Sequence, residues 1–338
     1  MIKAGIIGGS SYTGEVLSGI LLRHPEVKLE WITSVSHVGK KLGEMYPHLN
    51  GLSDLSFQAQ DMDKLSKGTD VVFIALPNGM AMNLVPKLLE QKIKVVDLSA
   101  DYRFKSADVF NEWYKIDHAS KDLLSKAVYG LPEIVNVKNA NLVANPGCYA
   151  TASILGLYPL VKENLIDTNT IIVDAKSGMS GAGKTLTDET HFSNCNDAVS
   201  AYKIASHRHT PEIEQAVGEN IKLTMVPHYI PMTRGIFSTI YAKAKGNIDE
   251  KALLEKFKSI YAGKPFVRIV NSLPTTKQVY GSNYCDITVK YDKRTGNIIV
   301  LSVIDNLMKG ASGQAVQNMN LMFGKSETAG LMFVPVYP

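Results

Sequence analysis

Cysteine is scarce in this sequence: Cys148, Cys195 and Cys285 are odd in number and too widely spaced for a disulfide framework, which suits reduced thiols in a cytosol. No run of eighteen apolar residues occurs, which argues against a helical membrane span. The opening MIKAGIIGGSSYTG lacks the length and cleavage pattern of a signal peptide, so a cytoplasmic protein is expected. Blocks of like charge are missing as well. The 36 basic and 32 acidic residues are scattered for a formal charge of +4, without the basic, aromatic-interleaved stretches of a nucleic-acid binder. The expected partner is a small anionic molecule, with no nucleic acid and no membrane.

What is present describes an ordinary globule of two domains, with 45% hydrophobic and 20% charged residues over 338 positions. The run Ile2 to Ile7, the turn GGSSYTG and the helically spaced Val16, Leu17, Ile20 and Leu21 read as strand, turn and helix. VKLEWIT, VVFIAL and KVVDLS continue as strands, and MAMNLVPKLLEQ can be helical despite Pro86. This alternation predicts an α/β, Rossmann-type domain with a doubly wound parallel sheet. After NPGCYAT the texture changes. TASILGLYPLVKE reads as a helix, and TIIVDAKS, TMVPHYIP, RGIFSTIYAKAK, YCDITVKYD and NIIVLSVID read as longer strands, which predicts a second, α+β catalytic domain with a mixed or antiparallel sheet. In ASGQAVQNMNLMFG, Ala315, Met319 and Met322 share one helical face and can return the chain to the first domain. The expected division is 1–147 with 310–338, and 148–309.

Gly9, Ser11 and Gly14 occupy the marked positions of G-x-G-x-x-G between a predicted strand and a predicted helix. The loop Gly8, Gly9, Ser10, Ser11, Tyr12, Thr13 and Gly14 is therefore expected to cradle a dinucleotide pyrophosphate against helix N–H groups. A turn that only links strand to helix would look similar. An NAD-binding fold normally carries Asp or Glu after the second strand. Here the strand runs into Ser34, Ser36, Lys40 and Lys41 without a carboxylate, so NADP (NADPH) is expected over NAD.

Cys148 falls where a helix should begin, after Asn145-Pro146-Gly147. A free thiol titrates near roughly 8.5, and a helix N-terminus with a neighbouring imidazolium lowers this to roughly 3.5–7.5. A thiol beside a nicotinamide suggests aldehyde-level chemistry through a thioester. Cys195 and Cys285 are read as structural, and His191 with Cys195 lacks further ligands for zinc. Ser206-His207-Arg208-His209-Thr210-Pro211-Glu212 offers two imidazoles suited to proton transfer. Sequence leaves the choice open, with a slight lean to His207. Gly178 to Thr185 matches the phosphate-binding pattern G-x-x-x-x-G-K-[ST] in full, yet LTDETHFSNCND is poor in buried apolar positions for the helix that must follow. A glycine-rich loop carrying Lys184 that closes over substrate is the alternative.

Taken together, GGSSYTGE, DLSADYRF (97–104), VYGLPE (128–133), NPGCYAT (145–151), KSGMSGAGK (176–184), AYKIASHRHTPEI (201–213) and NLMKGASGQAVQNMNLM (306–322) resemble the N-acetyl-γ-glutamyl-phosphate reductases, relatives of aspartate-semialdehyde dehydrogenase. The resemblance implies NADPH-dependent reduction of an acyl phosphate to an aldehyde in arginine biosynthesis, by a homo-oligomer, dimer or tetramer. It implies Cys148 as nucleophile with His207 and His209 beside it. Substrate contacts are expected from Arg103, Asn145, Ser177, Gly178, Ser180, Gly181 and Lys184. The segment Gly310 to Asn318, with Gly310, Gly313, Gln314 and Asn318 as candidates, is expected at the nicotinamide. Two positions depart from the family pattern: Ser11 stands where glycine is frequent, and Asn78 where histidine is usual. Rival readings are an aspartate-semialdehyde dehydrogenase, a P-loop nucleotide-binding protein and a catalytically silent NADP sensor.

Overall fold

The computed structural model describes residues 1–337. The chain forms two compact units, one built from Met1–Pro146 with Ala311–Met332, the other from Gly147–Gly310 with the residues from Phe333 onward.

In the first unit β1 (Ile2–Ile7), β2 (Val27–Thr33), β3 (Phe57–Gln58), β4 (Val71–Ile74), β5 (Lys94–Asp97), β6 (Val128–Tyr129) and β7 (Leu142–Ala144) make one sheet in the order β3-β2-β1-β4-β5-β7-β6. All six pairings are parallel. A sheet covered on both faces needs continuous apolar runs, and all four residues of Val71–Ile74 are accordingly fully buried. Strand order reverses between β1 and β4, so their carboxyl ends flank the crevice in which such folds bind ligands. The Gly8–Gly14 turn leaves β1 at that point. Ser11 caps the helix Tyr12–Leu22, its Oγ accepting the Gly14 N–H at 3.0 Å and donating to the Gly8 carbonyl at 3.0 Å. The serine in the middle of the glycine motif is therefore the N-cap that the helix requires. The stretch expected as one helix around Pro86 is instead a 3₁₀ turn, Ala81–Asn83, and a helix, Val85–Glu90. Pro86 lies in the first turn of that helix, where a missing N–H costs nothing.

In the second unit β8 (Ile171–Gly178), β9 (Ser200–Ala201), β10 (Leu223–Ile230), β11 (Ile236–Lys243), β12 (Val267–Ile269), β13 (Cys285–Asp292) and β14 (Asn297–Ile304) form a mixed sheet, β12-β13-β14-β11-β8-β10-β9. Pairs β8–β10 and β12–β13 are parallel and the others antiparallel. Burial alternates along β8, and Val173, Ala175, Met225, Ile240 and Val300 are fully buried. The helix Cys148–Lys162 packs on β11 and β14. Register pairs Ile236 with both Ser177 and Ile304, which gathers the end of β8, the start of β11 and the end of β14 at one edge.

Two segments differ from the expected division. Gly310 stays with the second unit, its N–H donating to the Asp305 carbonyl at 3.0 Å. The tail beyond Met332 does too, with the Val336 N–H donating to the Tyr280 carbonyl at 2.9 Å. Backbone pairing decides both, and no hydrophobic period marks it. Among the described residues, no helix is long and apolar enough to cross a membrane.

The third glycine of the motif is a packing requirement. A Cβ at position 14 would stand 2.6 Å from the Gly9 α-carbon and 2.7 Å from the Gly8 carbonyl oxygen, both backbone atoms that cannot rotate away. Gly14→Ala should destabilise the protein by about 1–3 kcal/mol, the usual cost of overpacking, and weaken dinucleotide binding, measured by denaturant titration and cofactor fluorescence. Unchanged values in both would show that the turn tolerates the methyl group.

Candidate active site

In the second unit, Cys148 is the first residue of the helix Cys148–Lys162, with Gly147 as an extended N-cap. The positive end of the helix dipole and the unpaired first-turn N–H groups favour a thiolate at this position. No side chain of the N-cap closes this end, but the Gly147 N–H donates to Oε1 of the fully buried Glu212 at 2.8 Å. Glu212 lies in the first turn of the helix Thr210–Val217, directly after the histidine segment. One carboxylate thus fastens the thiol-bearing helix to that segment. A Cβ on Gly147 would lie 2.3 Å from His209 Nε2, so glycine is what leaves room for the imidazole there. Gly310 backs the thiol from another side, where an added Cβ would stand 2.8 Å from the Cys148 Cβ.

The two histidines differ in kind. His207 Nδ1 accepts the His209 backbone N–H at 3.1 Å, and its ring meets Tyr149, Tyr202 and His209 edge to face with centroids 5.3, 5.6 and 4.7 Å away. Burial first, then His209 and the cations Lys203 and Arg208, push its pKa down to about 2. His207 is therefore a neutral packing ring at any working pH, and the slight preference that sequence gives it as proton carrier is corrected in favour of His209. Sequence does not single out the tyrosines around these rings. The Tyr149 hydroxyl donates to the His228 carbonyl at 3.0 Å, that of Tyr202 donates to the Tyr149 oxygen at 3.4 Å, and Tyr202 stacks on Tyr229 at 4.0 Å. Burial raises the pKa of all three phenols, which keeps them as proton donors.

The loop after β8 holds the expected Ser177, Gly178, Ser180 and Gly181. Gly178, Met179 and Ser180 donate backbone N–H groups to the carbonyls of Gly235, Met232 and Thr233 at 2.8–3.0 Å. The buried Asn306 accepts the Gly235 N–H at 2.8 Å and donates to Ser180 Oγ at 2.9 Å. The P-loop reading fails here. Met179–Ala182 is a 3₁₀ turn, no helix begins at Lys184, and the next helical turn, Phe192–Cys195, is a single one. Without a helix N-terminus behind the glycines there is no phosphate cradle. Lys184 is exposed, and Leu186 and Phe192 are 82% and 74% exposed, so nothing buries the face that such a helix would need. Among the described residues no group of three or more metal-ligating side chains gathers.

In the first unit the expected cofactor residues assemble on one framework. Ser312 Oγ donates to the Thr13 carbonyl at 2.9 Å, which ties the start of the helix Gly313–Met322 to the glycine turn. Asn318 donates to the Gly130 carbonyl at 2.8 Å and to Asn145 Oδ1 at 3.0 Å, and Asn145 donates to the Ala311 carbonyl at 3.1 Å. Asn318 Oδ1 is a buried acceptor without a partner, suited to an incoming amide N–H. Gly313 and Gln314 are fully buried in the same helix. Ser34 Oγ donates to Ser10 Oγ at 3.1 Å, and Ser36 and Lys40 are exposed beyond β2. The glycine turn with its helix start and the Asn318 acceptor fit a dinucleotide. Arg103 is held by the Asn145 carbonyl at 2.9 Å and the Leu98 carbonyl at 3.0 Å. The departure at Asn78 also has a local role: its Oδ1 accepts the Ala100 N–H at 3.0 Å and closes the turn before Arg103. Below that turn lies fully buried Asp97, bonded to the Ser99 N–H and hydroxyl. Burial, and then the charge of Asp101, push its pKa up to about 7.

Known proteins resemble the chain along its length. The family model described as semialdehyde dehydrogenase, NAD binding domain, matches residues 3–142, and that described as semialdehyde dehydrogenase, dimerisation domain, matches residues 148–306. An N-acetyl-gamma-glutamyl-phosphate reductase of Desulforudis audaxviator is 49% identical over 346 residues, covering all of both chains. That of Moorella thermoacetica is 49% identical over 339 residues, covering 98% of each. Among solved structures, aspartate semialdehyde dehydrogenase II of Vibrio cholerae shares the fold, with a TM-score of 0.72 at 15% identity over 95% of this chain and 98% of that one. The Candida albicans aspartate semialdehyde dehydrogenase solved with NADP gives 0.67 at 16% over the same shares.

A raised carboxyl pKa in the folded state means that stability is full below the unfolded value near 3.8 and is lost as pH rises through about 7. For Asp97 that loss is at most about 4 kcal/mol. Asp97→Asn should flatten the fall in unfolding free energy between pH 4 and 8, read from urea titrations at several pH values. Parallel pH curves for the two proteins would mean that Asp97 ionises without cost.

Proposed function

The chain belongs to the N-acetyl-γ-glutamyl-phosphate reductase family of semialdehyde dehydrogenases, and we propose that it reduces N-acetyl-γ-glutamyl phosphate to N-acetylglutamate 5-semialdehyde, releasing phosphate, through a thioester on Cys148. The observation that carries this reading is the placement of Cys148 as the first helical residue, with Gly147 fastened to Glu212 and bordered by His209 Nε2. The family's name places the reaction in arginine biosynthesis, in the cytoplasm.

The Cys148 thiolate attacks the acyl carbon, the carbon–oxygen bond to phosphate breaks, and phosphate leaves with the electron pair. Phosphate needs little acid assistance, so the first step depends on a positioned thiolate more than on a proton donor. When bound, NADPH supplies the hydride that reduces the thioester carbonyl. His209 takes the thiol proton at the start, stays beside the sulfur as imidazolium, and stabilises the oxyanion of the thiohemiacetal by sharing its proton. Collapse of that adduct breaks the carbon–sulfur bond, frees the aldehyde and returns the thiolate. His207 and the tyrosines around it hold the His209 segment in register.

The Gly8–Gly14 turn and the helix Gly313–Met322, with Asn318, would hold the dinucleotide. Preference for NADP over NAD rests on Ser34, Ser36 and Lys40: no carboxylate lies at the end of β2, and among the described residues Lys40 has no acidic partner. Arg103, Asn145 and the Ser177–Gly181 loop are proposed as substrate contacts. The dimerisation-domain match supports a homo-oligomer, which we take to be a dimer or tetramer formed through the second unit.

The direct test is NADPH oxidation with N-acetylglutamyl phosphate, run beside NADH and beside aspartyl phosphate. Turnover should favour the first substrate and NADPH, and equal or greater turnover of aspartyl phosphate would replace this reading with the dehydrogenase one. Cys148→Ser should abolish turnover and thioester formation while NADPH binding persists; normal turnover would end the scheme. His209→Asn should lower kcat by about 10²–10⁴ and shift the pH profile of Cys148 alkylation, whereas His207→Gln should leave that profile in place. The reverse pattern would restore His207 as the proton carrier.

A further inference from the structure

Arg234 is a cation that neither the motif reading nor the mechanism uses. It lies in the turn Met232–Gly235 between β10 and β11, whose carbonyls bind the Gly178–Ser180 loop. Its side chain is only 22% exposed, yet among the described residues it makes no hydrogen bond. The nearest carboxylate, fully buried Asp305, is occupied elsewhere: Oδ1 accepts the N–H groups of Leu307 and Met308 at 2.8 and 3.1 Å, and Oδ2 accepts that of Gly281 at 2.8 Å. Arg234 Nη1 stands 3.6 Å from Asp305 Oδ2, too far for a hydrogen bond, and the guanidinium lies 5.9 Å from the Tyr280 ring centroid. The result is a guanidinium held in place by charge and packing, with its donor fork uncommitted.

The location connects this fork to the thiol. Asp305 receives the Gly310 N–H on its carbonyl, and Gly310 is the residue packed against Cys148. On the other side, Tyr149 follows Cys148 and hydrogen-bonds toward Ser177, and the next residues, Gly178 to Ser180, are those bonded to the turn that carries Arg234. Arg234 therefore stands at the sheet edge that carries Cys148, one element farther out. An acyl phosphate of a dicarboxylic amino acid has two anionic ends. Its phosphate is attached to the carbon under attack and falls to the donors at the start of the Cys148 helix. Its carboxylate lies several bonds away, and a planar fork suits a carboxylate in bidentate fashion.

We infer that Arg234 is a specificity-determining residue that binds the substrate's α-carboxylate, an inference that rests on the reductase reading above. The reverse reaction separates the two anions, because the carboxylate enters on the semialdehyde and phosphate enters by itself. Arg234→Met should raise KM for the semialdehyde about 10- to 100-fold, with KM for phosphate, kcat and the thermal midpoint little changed. Arg234→Lys, which keeps the charge and loses the fork, should fall between, and added guanidinium should partly restore Arg234→Ala. A rise confined to KM for phosphate would overturn the carboxylate assignment. A fall in kcat and thermal midpoint with both KM values unchanged would overturn it also, making Arg234 a brace for Asp305. If wild-type protein turns over neither substrate pair, the reductase reading fails, and Arg234 is then judged by alkylation. N-acetyl-L-glutamate should protect Cys148 from iodoacetamide in wild type and not in Arg234→Met, and equal protection, or none in either, would overturn the inference.

Discussion

The hydrogen bond from the Gly147 N–H to Oε1 of Glu212 is the constraint on which the candidate active site depends. A helix start without a side-chain cap would fray, and the thiol at its first position would wander with it. A buried carboxylate removes that freedom. Because Glu212 belongs to the first turn of the next helix in the histidine segment, the bond also sets where His209 stands. Glycine at 147 then serves two purposes: its N–H meets the carboxylate, and its missing side chain admits the imidazole edge. The fully buried Glu212 accepts a backbone donor, and such a bond to an ionised group is roughly twice as strong as a neutral one.

Around this bond the second unit uses aromatic packing where many active sites use charge. His207 is kept neutral by burial, and its Nδ1 is occupied by a backbone N–H. It carries no proton and so can act as a rigid spacer between Tyr149, Tyr202 and His209. The substrate loop is organised in the same way, by backbone bonds to the 232–235 turn and by Asn306 bridging Ser180 and Gly235. Most polar side chains there have partners within the protein. The exception is the Arg234 fork, which is why it stands out chemically.

In the first unit the same economy holds residues that lie far apart in sequence. Asn145 joins three segments, through Arg103, Ala311 and Asn318, and Ser312 joins a fourth at Thr13. Each bond is modest, worth about 0.5–1.5 kcal/mol net, but all lie at least partly shielded from water, where leaving a partner unmade costs more than the bond contributes. Ser11 and Asn78, the two departures from the family's pattern, both take up backbone hydrogen bonds and so have local structural reasons independent of the chemistry.

Local rules made much of this protein legible before any coordinates. Strand and helix periods, the glycine turn after β1 and the position of Cys148 at a helix start depend on neighbours within a few residues, and sequence by itself determined them. Other features needed partners distant in the chain. The P-loop pattern at Gly178–Thr185 is complete as a string, but whether a helix follows depends on an apolar face finding something to cover it, and Leu186 and Phe192 stay in solvent. His207 and His209 are alike as letters; burial against Tyr149 and Tyr202 separates them. Glu212 and Arg234 carry no motif, because what distinguishes them is a backbone N–H 65 residues away in one case and a carboxylate already satisfied by other donors in the other. Hydrogen-bond saturation and desolvation are properties of surroundings, and only the tertiary structure supplies those.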